Sequence, residues 1–350
     1  MEKINEQHMI VFTLCSNNYL AHAKTLGDSL LKHNPDYTFI IGLIDELHDS
    51  IDYDFFEPYK ILPVECIGIP DLGALWQKYD IVEFNTCFKA SYFKYLFKTY
   101  PNIETICFLD PDITVYHRFD IFENEFKTNE ILIVPHINNP IDLDGKMPTE
   151  NLFLNYGLYN LGFIGVHRNC TKKGVLLDWW EERTLTTGFN RPKDGLFVDQ
   201  LWINLVPIFF DKVKILKNAG LNVAPWNLHE RSLKSNTANK EMTDGSPLYF
   251  YHFSTYKFKE PTKMSLYYDR YSFENHADVK GIYEVYHNTL LKNKIELFSK
   301  IPCTYVLKAD EYRNSLLKNP LIKNEFSWGI KSRLKKMIPA FMKKGYRKMF

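Results

Sequence analysis

Over its first 115 residues the chain alternates short apolar runs with segments of helical periodicity, which predicts parallel strands joined by covering helices. Met9 to Cys15 is the first apolar run. Between Asn18 and His33, Leu20, Ala23, Leu26 and Leu30 recur on one helix face, and Asn34-Pro35 ends the helix. Tyr37 to Leu43 and Ile61 to Ile67 read as further strands, and Asn85 to Tyr100 as an aromatic-rich helix stopped by Pro101. The run Thr105 to Leu109 then leads into Asp110-Pro111-Asp112. Downstream, Ile131 to Val134 and Tyr159 to Val166 read as strands, Leu176 to Arg183 and Val198 to Phe210 as helices, and Val213 to Leu216 and Leu248 to Phe253 as the last strands. Gly162 and Gly165 inside one of these strands mark a close approach of a ligand or another backbone. Beyond about Tyr256 the pattern turns helical and increasingly basic, so a boundary is expected near 255.

The Asp110-Pro111-Asp112 tripeptide carries the first chemistry. Residues two apart on a strand point the same way, so both carboxylates can face one site at the sheet's carboxyl edge, where a hard divalent cation would bridge them to phosphate oxygens. Asp-Pro-Asp is equally good turn chemistry, and the tripeptide alone does not separate the two readings.

Composition narrows the class. With 45% apolar and 24% charged residues in 350, the chain is neither disordered nor fibrous. Its 6 Trp, 22 Tyr and 26 Phe suit ring-stacking ligands and a packed core alike. Against 42 acidic residues stand 43 basic ones, a net charge of +1 that gives no overall footprint for nucleic acid. Eight of the basic residues lie between Ser327 and Phe350, where no acid occurs, so the charge sits in a tail. Six scattered cysteines, mostly among apolar neighbours, read as reduced, buried thiols of a cytosolic protein. No apolar run approaches the ~20 residues of a membrane span.

Further polar clusters follow in a telling order. Tyr159-Asn160-Leu161-Gly162 resembles the Asn-x-Gly strand of family-eight glycosyltransferases, and Asp199-Gln200 through Asn204 resembles their Asp-Gln-x-x-x-Asn helix start. Val223 to Leu228 and Tyr249 to Phe253 are similar to later segments of that family, and Ser16-Asn17-Asn18-Tyr19 to its nucleotide-base loop. The resemblance covers about residues 9–255. It implies the GT-A fold: a Rossmann-like mixed sheet flanked by helices, with residues 1–115 as nucleotide-binding half and 116–255 as acceptor and catalytic half. Residues 256–350 would be a helical C-terminal extension.

The resemblance implies a UDP-sugar donor, a glycan or glycolipid acceptor, retention of configuration, and a manganese or magnesium ion held by Asp110, Asp112 and His252. It sets Asp199 and Gln200 beside the anomeric carbon, and Ser16, Asn17, Tyr19, Asn160, Gly162 and Asp110 around the donor. Two departures stand out. Leu201 replaces the family's second acid, which argues against double displacement at this spot and leaves Gln200 to stabilise positive charge through its carbonyl oxygen. Thr255 stands where the family's diphosphate motif has glycine, so the diphosphate lysine lies open between Lys257 and Lys259, with Lys257 as the candidate and Lys89 as a further basic contact. Asp110-Pro-Asp112-Ile-Thr114 also resembles the aspartyl-nucleophile motif of haloacid-dehalogenase-type phosphatases, which that family carries on its first strand rather than after three βα units. An idle sugar-nucleotide-binding protein is the other alternative.

In the tail, Ile330, Leu334, Met337, Ile338, Phe341 and Met342 recur at helical spacing between lysines. A basic amphipathic helix of this kind lies in an anionic membrane interface. The expected location is therefore cytoplasmic and peripheral at the inner face of the membrane, in cell-surface polysaccharide synthesis.

Overall fold

The computed structural model describes residues 9–234 and 240–318. Its strands are β1 (Met9–Cys15), β2 (Thr38–Leu43), β3 (Lys60–Pro63), β4 (Thr105–Leu109), β5 (Ile113–Val115), β6 (Ile131–Pro135), β7 (Tyr159–His167), β8 (Asn190–Arg191), β9 (Leu196–Phe197), β10 (Val213–Ile215) and β11 (Phe250–His252). Its helices are α1 (Leu20–His33), α2 (Leu72–Lys78), α3 (Ile81–Thr86), α4 (Lys89–Thr99), α5 (Asp120–Glu125), α6 (Glu150–Tyr156), α7 (Lys173–Thr187), α8 (Val206–Phe209), α9 (Ala277–Lys292), α10 (Ile295–Phe298) and α11 (Thr304–Lys318).

Seven strands form one sheet of order β10-β6-β7-β4-β1-β2-β3. The pairs β1/β2, β1/β4, β2/β3 and β6/β10 are parallel, whereas β7 runs antiparallel between β4 and β6. This is the mixed sheet flanked by helices that the resemblance implies, with β7 the antiparallel exception beside the parallel strands read from periodicity. All seven residues of β1 are buried, because both sheet faces are covered there. Met9, Val11 and Cys15 join the cluster of Leu20, Ala23, Leu26 and Leu30 on α1. Phe12, on the other face, meets Phe93 of α4 edge-on at 4.9 Å. Much of the aromatic content is core: Phe253 stacks on Tyr286 of α9 at 3.8 Å, with Tyr251 and Tyr283 beside them.

Three elements differ from expectation. The strand expected over Ile61 to Ile67 ends at Pro63, which has no N–H to continue a ladder, and a 3-10 turn takes over Val64–Ile67. The helix expected over Asn85 to Tyr100 is two helices, broken at Cys87-Phe88, where the Thr184 hydroxyl of α7 donates 2.7 Å to the Cys87 carbonyl. Between Val198 and Phe210, Val198 has φ 41°, a 3-10 turn spans Leu201–Leu205, and a new short helix starts around Pro207. All six cysteines are free, and Cys66 is exposed while the other five are buried.

The chain divides into two units, Met1–Cys303 and Thr304–Phe350. The helical segment expected beyond 256 is shared between them. Within the first unit α9 and α10 pack on α1, where Asn293 donates to Thr25 Oγ1 at 3.0 Å and to Asp28 Oδ2 at 3.1 Å. Of the second unit, α11 is described. The basic tail 327–350 lies outside the described residues. No described helix is long and apolar enough to cross a membrane.

Candidate metal and donor site

Sheet order marks one edge. The chain steps from β1 outward to β2 and β3, then crosses to β4 on the other side of β1, so the crevice beyond the carboxyl ends of β1 and β4 is a topological switch point, where open α/β sheets bind ligands. Ser16 to Tyr19 follow β1, and Asp110 to Asp112 follow β4. Antiparallel β7 brings its first residues, Tyr159 and Asn160, to the same edge, and Asp110 N–H donates to Gly162 O at 3.0 Å.

Asp110-Pro111-Asp112 is a turn that also brings two carboxylates to the candidate site. The Ile113 N–H donates to Asp110 O at 3.2 Å, closing the turn. The two carboxylates therefore converge through the turn and not through strand alternation, because Asp110 lies past the end of β4 and Asp112 ahead of β5. Antiparallel pairing of β5 with β11 sets His252 opposite Ile113, and Phe253 N–H donates to Asp112 O at 2.9 Å. His252 Nε2 thereby stands 3.0 Å from Asp112 Oδ1 and 3.7 Å from Asp110 Oδ2. One ligand atom from each of the three residues lies within 4.8 Å of the others.

The imidazole is held from behind. Its Nδ1 is 3.4 Å from Asn222 Oδ1, an acceptor, so a neutral ring that bound a cation through Nε2 would keep its proton on Nδ1. Trp226 meets the ring edge-on at 5.2 Å. Gly162 leaves the ring its space: a Cβ there would come within 2.6 Å of His252 Nδ1 and Cε1 and of Asn160 Oδ1.

Lys89 begins α4 and is buried. Its ammonium stands 2.8 Å from Asp199 Oδ2 and 3.8 Å from Asp110 Oδ1, donates to Leu161 O at 3.1 Å and lies 4.2 Å above the Phe108 ring. Three carboxylates thus face one lysine and one histidine. Burial pushes the Asp110 carboxyl up to about 6, against the pull of Lys89 and His252. Burial also acts to raise Asp112, but the charged His252 ring bonded to it outweighs this and holds it below the usual carboxylate range. His252 is raised in turn: burial disfavours its cation, and Asp112 and Asp110 favour it more strongly. Asp199 is raised by burial, with Lys89 opposing.

This donor set fits a divalent cation. With a neutral imidazole the three carboxylates exceed Lys89 by two negative charges, which such an ion cancels. Carboxylate oxygens and an imidazole nitrogen suit manganese or magnesium better than a soft metal. The Asp110 and Asp112 side chains are 30% and 20% exposed against 4% for His252, so the open face lies on the carboxylate side.

The other expected site residues are distributed as follows. Asp199 is buried, and its carboxylate serves Lys89 rather than a helix end, since the Leu201–Leu205 turn has no side-chain cap. Gln200 is a brace: Leu161 N–H donates to its Oε1 at 2.8 Å, and its Nε2 donates to Tyr156 O at 2.8 Å. The carbonyl oxygen expected to stabilise positive charge is therefore turned to the β7 backbone. Asn160 Oδ1 accepts from Gly162 N–H at 3.0 Å, and its Nδ2 donates to His136 Nε2 at 3.1 Å. Asn17 is fully buried, its Nδ2 bonded to Glu46 O and its Oδ1 to the Tyr53 hydroxyl, so it ties the loop after β1 together. Ser16 Oγ donates to Asn18 Oδ1 at 2.7 Å. Tyr19 stacks on His22 at 4.6 Å, and its phenol is pushed up to about 12 by burial and then by Asp112 and Asp110. Lys257 is exposed; burial, with a smaller contribution from Lys257, lowers His22 to about 4.

Sequence reasoning missed three supports. Asn222 holds His252 from a left-handed backbone, φ 55°, which Asn tolerates better than most residues. His136 receives the Asn160 amide and is kept neutral by burial, its pKa lowered to about 3. Arg270 forks onto Asp144 at 2.7 Å and donates to the Asp142, Lys146 and Pro148 carbonyls, clasping the loop ahead of α6.

No family model matches the chain. It is 25% identical over 286 residues, 79% of this chain and 90% of the relative, to the uncharacterized protein YfnF of Bacillus subtilis (strain 168). It is 21% identical over 299 residues, 83% and 91% of the two chains, to the uncharacterized protein YfnD of the same organism. Among solved structures, the galactosyltransferase LgtC in complex with donor and acceptor sugar analogs aligns with a TM-score of 0.46 at 14% identity, covering 81% of this chain and 95% of that one. The glycosyltransferase GlyE of Streptococcus pneumoniae TIGR4 aligns with a TM-score of 0.45 at 13% identity, covering 90% and 65%.

Proposed function

We propose that this chain is a metal-dependent glycosyltransferase that moves a sugar from a nucleotide-sugar donor, a UDP-sugar, to a glycan or glycolipid acceptor with retention. The observation that carries the reading is the meeting of Asp110, Asp112 and His252 within 4.8 Å, beside the buried Lys89–Asp199 pair, at the switch point of the sheet. The residue patterns at Asn160-Leu161-Gly162 and Asp199-Gln200, which resemble family-eight glycosyltransferases, add the donor class.

Asp110, Asp112 and His252 would hold manganese or magnesium, which when bound offsets the charge of the departing diphosphate, a contribution of several kcal/mol. Lys89 orients Asp199 and opposes the burial that raises its carboxyl, and Gln200 fixes the start of β7 against α6. Asp199 would face the anomeric carbon, and with Leu201 following in place of a second acid, front-face attack is the retaining route left open. Lys331 to Lys348 would dock the enzyme on anionic lipid, where a lipid-linked acceptor is met.

The test is calorimetry with UDP, GDP and CDP, each with and without manganese, followed by donor hydrolysis. UDP should bind more tightly with manganese in the wild type, and Asp112→Ala should abolish both the coupling and the hydrolysis. Full hydrolysis in EDTA or in Asp112→Ala would refute the metal role. Release of inorganic phosphate from simple phosphoesters would favour a phosphatase, and UDP binding without turnover over a broad donor panel a binding protein.

A further inference from the structure

A separate cavity of about 570 Å³ opens between segments 256–262 and 272–274 and one face of α9. Asp110, Asp112, Asp199 and His252 are not among its lining residues. Its size falls in the ordinary range for small-ligand sites. Lys280, Tyr283, Glu284, His287 and Asn288 recur at helical spacing, so α9 turns a single face to it.

The wall is aromatic and fixed. Phe273 is half-buried and stands edge-on to Tyr283 at 5.0 Å, and Tyr256 meets the same ring edge-on at 5.5 Å. Tyr256 Oη shares a hydrogen bond with His287 Nδ1 at 2.9 Å, and Tyr283 Oη donates to Met264 O at 3.2 Å. Two rings braced on a third need little ordering when a ligand arrives, which lowers the entropic cost of binding.

The rim is polar and carries the wrong charge for an anion. Glu274 and Glu284 set two carboxylates against the Lys280 ammonium, which is itself 4.0 Å from Glu284. Among the lining side chains, two carboxylates against one ammonium disfavour phosphate or a nucleotide relative to a neutral ligand. A neutral polyhydroxyl ligand fits better: carboxylates and the Asn288 amide could bond to adjacent hydroxyls, and the C–H face of a sugar ring could lie against an aromatic wall.

We infer that this cavity is a saccharide-binding site, distinct from the Asp110–Asp112–His252 group, that takes a neutral mono- or disaccharide unit of a glycan. It stands independently of the transfer reaction.

The test is saturation-transfer NMR on the full chain with maltose, lactose and diacetylchitobiose, and inorganic phosphate as the anionic probe in a parallel titration. Wild type and Asp112→Ala should both give saccharide signals, because the cavity does not include the metal-ligand group. Phe273→Ala and Glu284→Lys should weaken binding about tenfold or more. Glu284 is exposed, so Glu284→Lys keeps the test valid if Phe273→Ala disturbs the fold. The inference is overturned if none of the three sugars binds or if binding survives in Glu284→Lys. It is equally overturned if binding is lost in Asp112→Ala, or if phosphate occupies the cavity in their place.

Discussion

Gly162→Ala tests the geometry of the candidate site with one added methyl group. The built Cβ falls 2.6 Å from His252 Nδ1, His252 Cε1 and Asn160 Oδ1, where ordinary contact begins near 3.4 Å. The imidazole must therefore retreat by about 0.8 Å, several times the ~0.2 Å tolerance of a metal–ligand distance. Its escape is blocked by Trp226, edge-on at 5.2 Å, and by Asn222 at Nδ1. Overpacking of this kind costs about 1–3 kcal/mol of stability. Displacing a metal ligand should also lower manganese affinity about 10–100-fold. The control is Gly165→Ala on the same strand, where the new Cβ meets Phe126 at 2.8 Å and Cys107 at 3.0 Å and does not touch His252. Both variants should unfold at lower denaturant, but only Gly162→Ala should lose manganese affinity in a calorimetric titration. Equal affinity in the two variants would refute the reasoning.

Lys89→Met leaves Asp199, 2% exposed, without its counter-ion, and should cost about 3–5 kcal/mol in equilibrium unfolding while abolishing donor turnover; unchanged stability would mean the pair is not a buried one. Arg270→Ala orphans a clasp of four partners around Asp144 and should raise amide exchange over 142–148 while leaving β1 protected; slow exchange in that loop would show it is held by something else. Glu130 is depressed to about 2 by hydrogen bonds from Thr171 and by Lys212, below its ordinary 4.5, so its stabilisation is complete above pH 4.5 and lost as pH falls toward 2. The melting-temperature gap between wild type and Glu130→Gln should therefore be widest at neutral pH and close across that window, and a gap independent of pH would count against the assignment.

The sheet was legible because its strands are buried on both faces and so appear as apolar runs, as with Met9–Cys15 and Thr105–Leu109. Helix α1 was legible from the spacing of Leu20, Ala23, Leu26 and Leu30, all buried in the core. What escaped was set by partners distant in sequence. Nothing within Asn85 to Tyr100 announces that the hydroxyl of Thr184 will take the carbonyl of Cys87 and interrupt the helix. Pro63 and Pro207 were visible, but whether a proline ends an element or sits inside it depends on which neighbours need its missing N–H.

For the candidate site the same distinction decides more. The carboxylates could be read as a turn or as a cation site, and the two readings are compatible, since the turn is what aims Asp110 and Asp112 at one point. His252 carried no local signal beyond its place in an aromatic strand, and only the resemblance paired it with the acids. Its position depends on the register of β5 against β11, in which Ile113 faces His252 and Thr114 faces Tyr251. A slip of one residue would turn Tyr251 or Phe253 toward the carboxylates and His252 away, because side chains alternate faces. Two backbone bonds across the pair oppose the slip, Phe253 N–H to Asp112 O and Tyr116 N–H to Tyr249 O, while His252 N–H to Val223 O anchors β11 to the segment at Val223. The candidate ligand set is therefore a property of strand pairing as much as of three residue types. Asn222, one residue ahead of Val223, takes part twice, since it precedes the carbonyl that fixes the strand and supplies the oxygen that orients the ring.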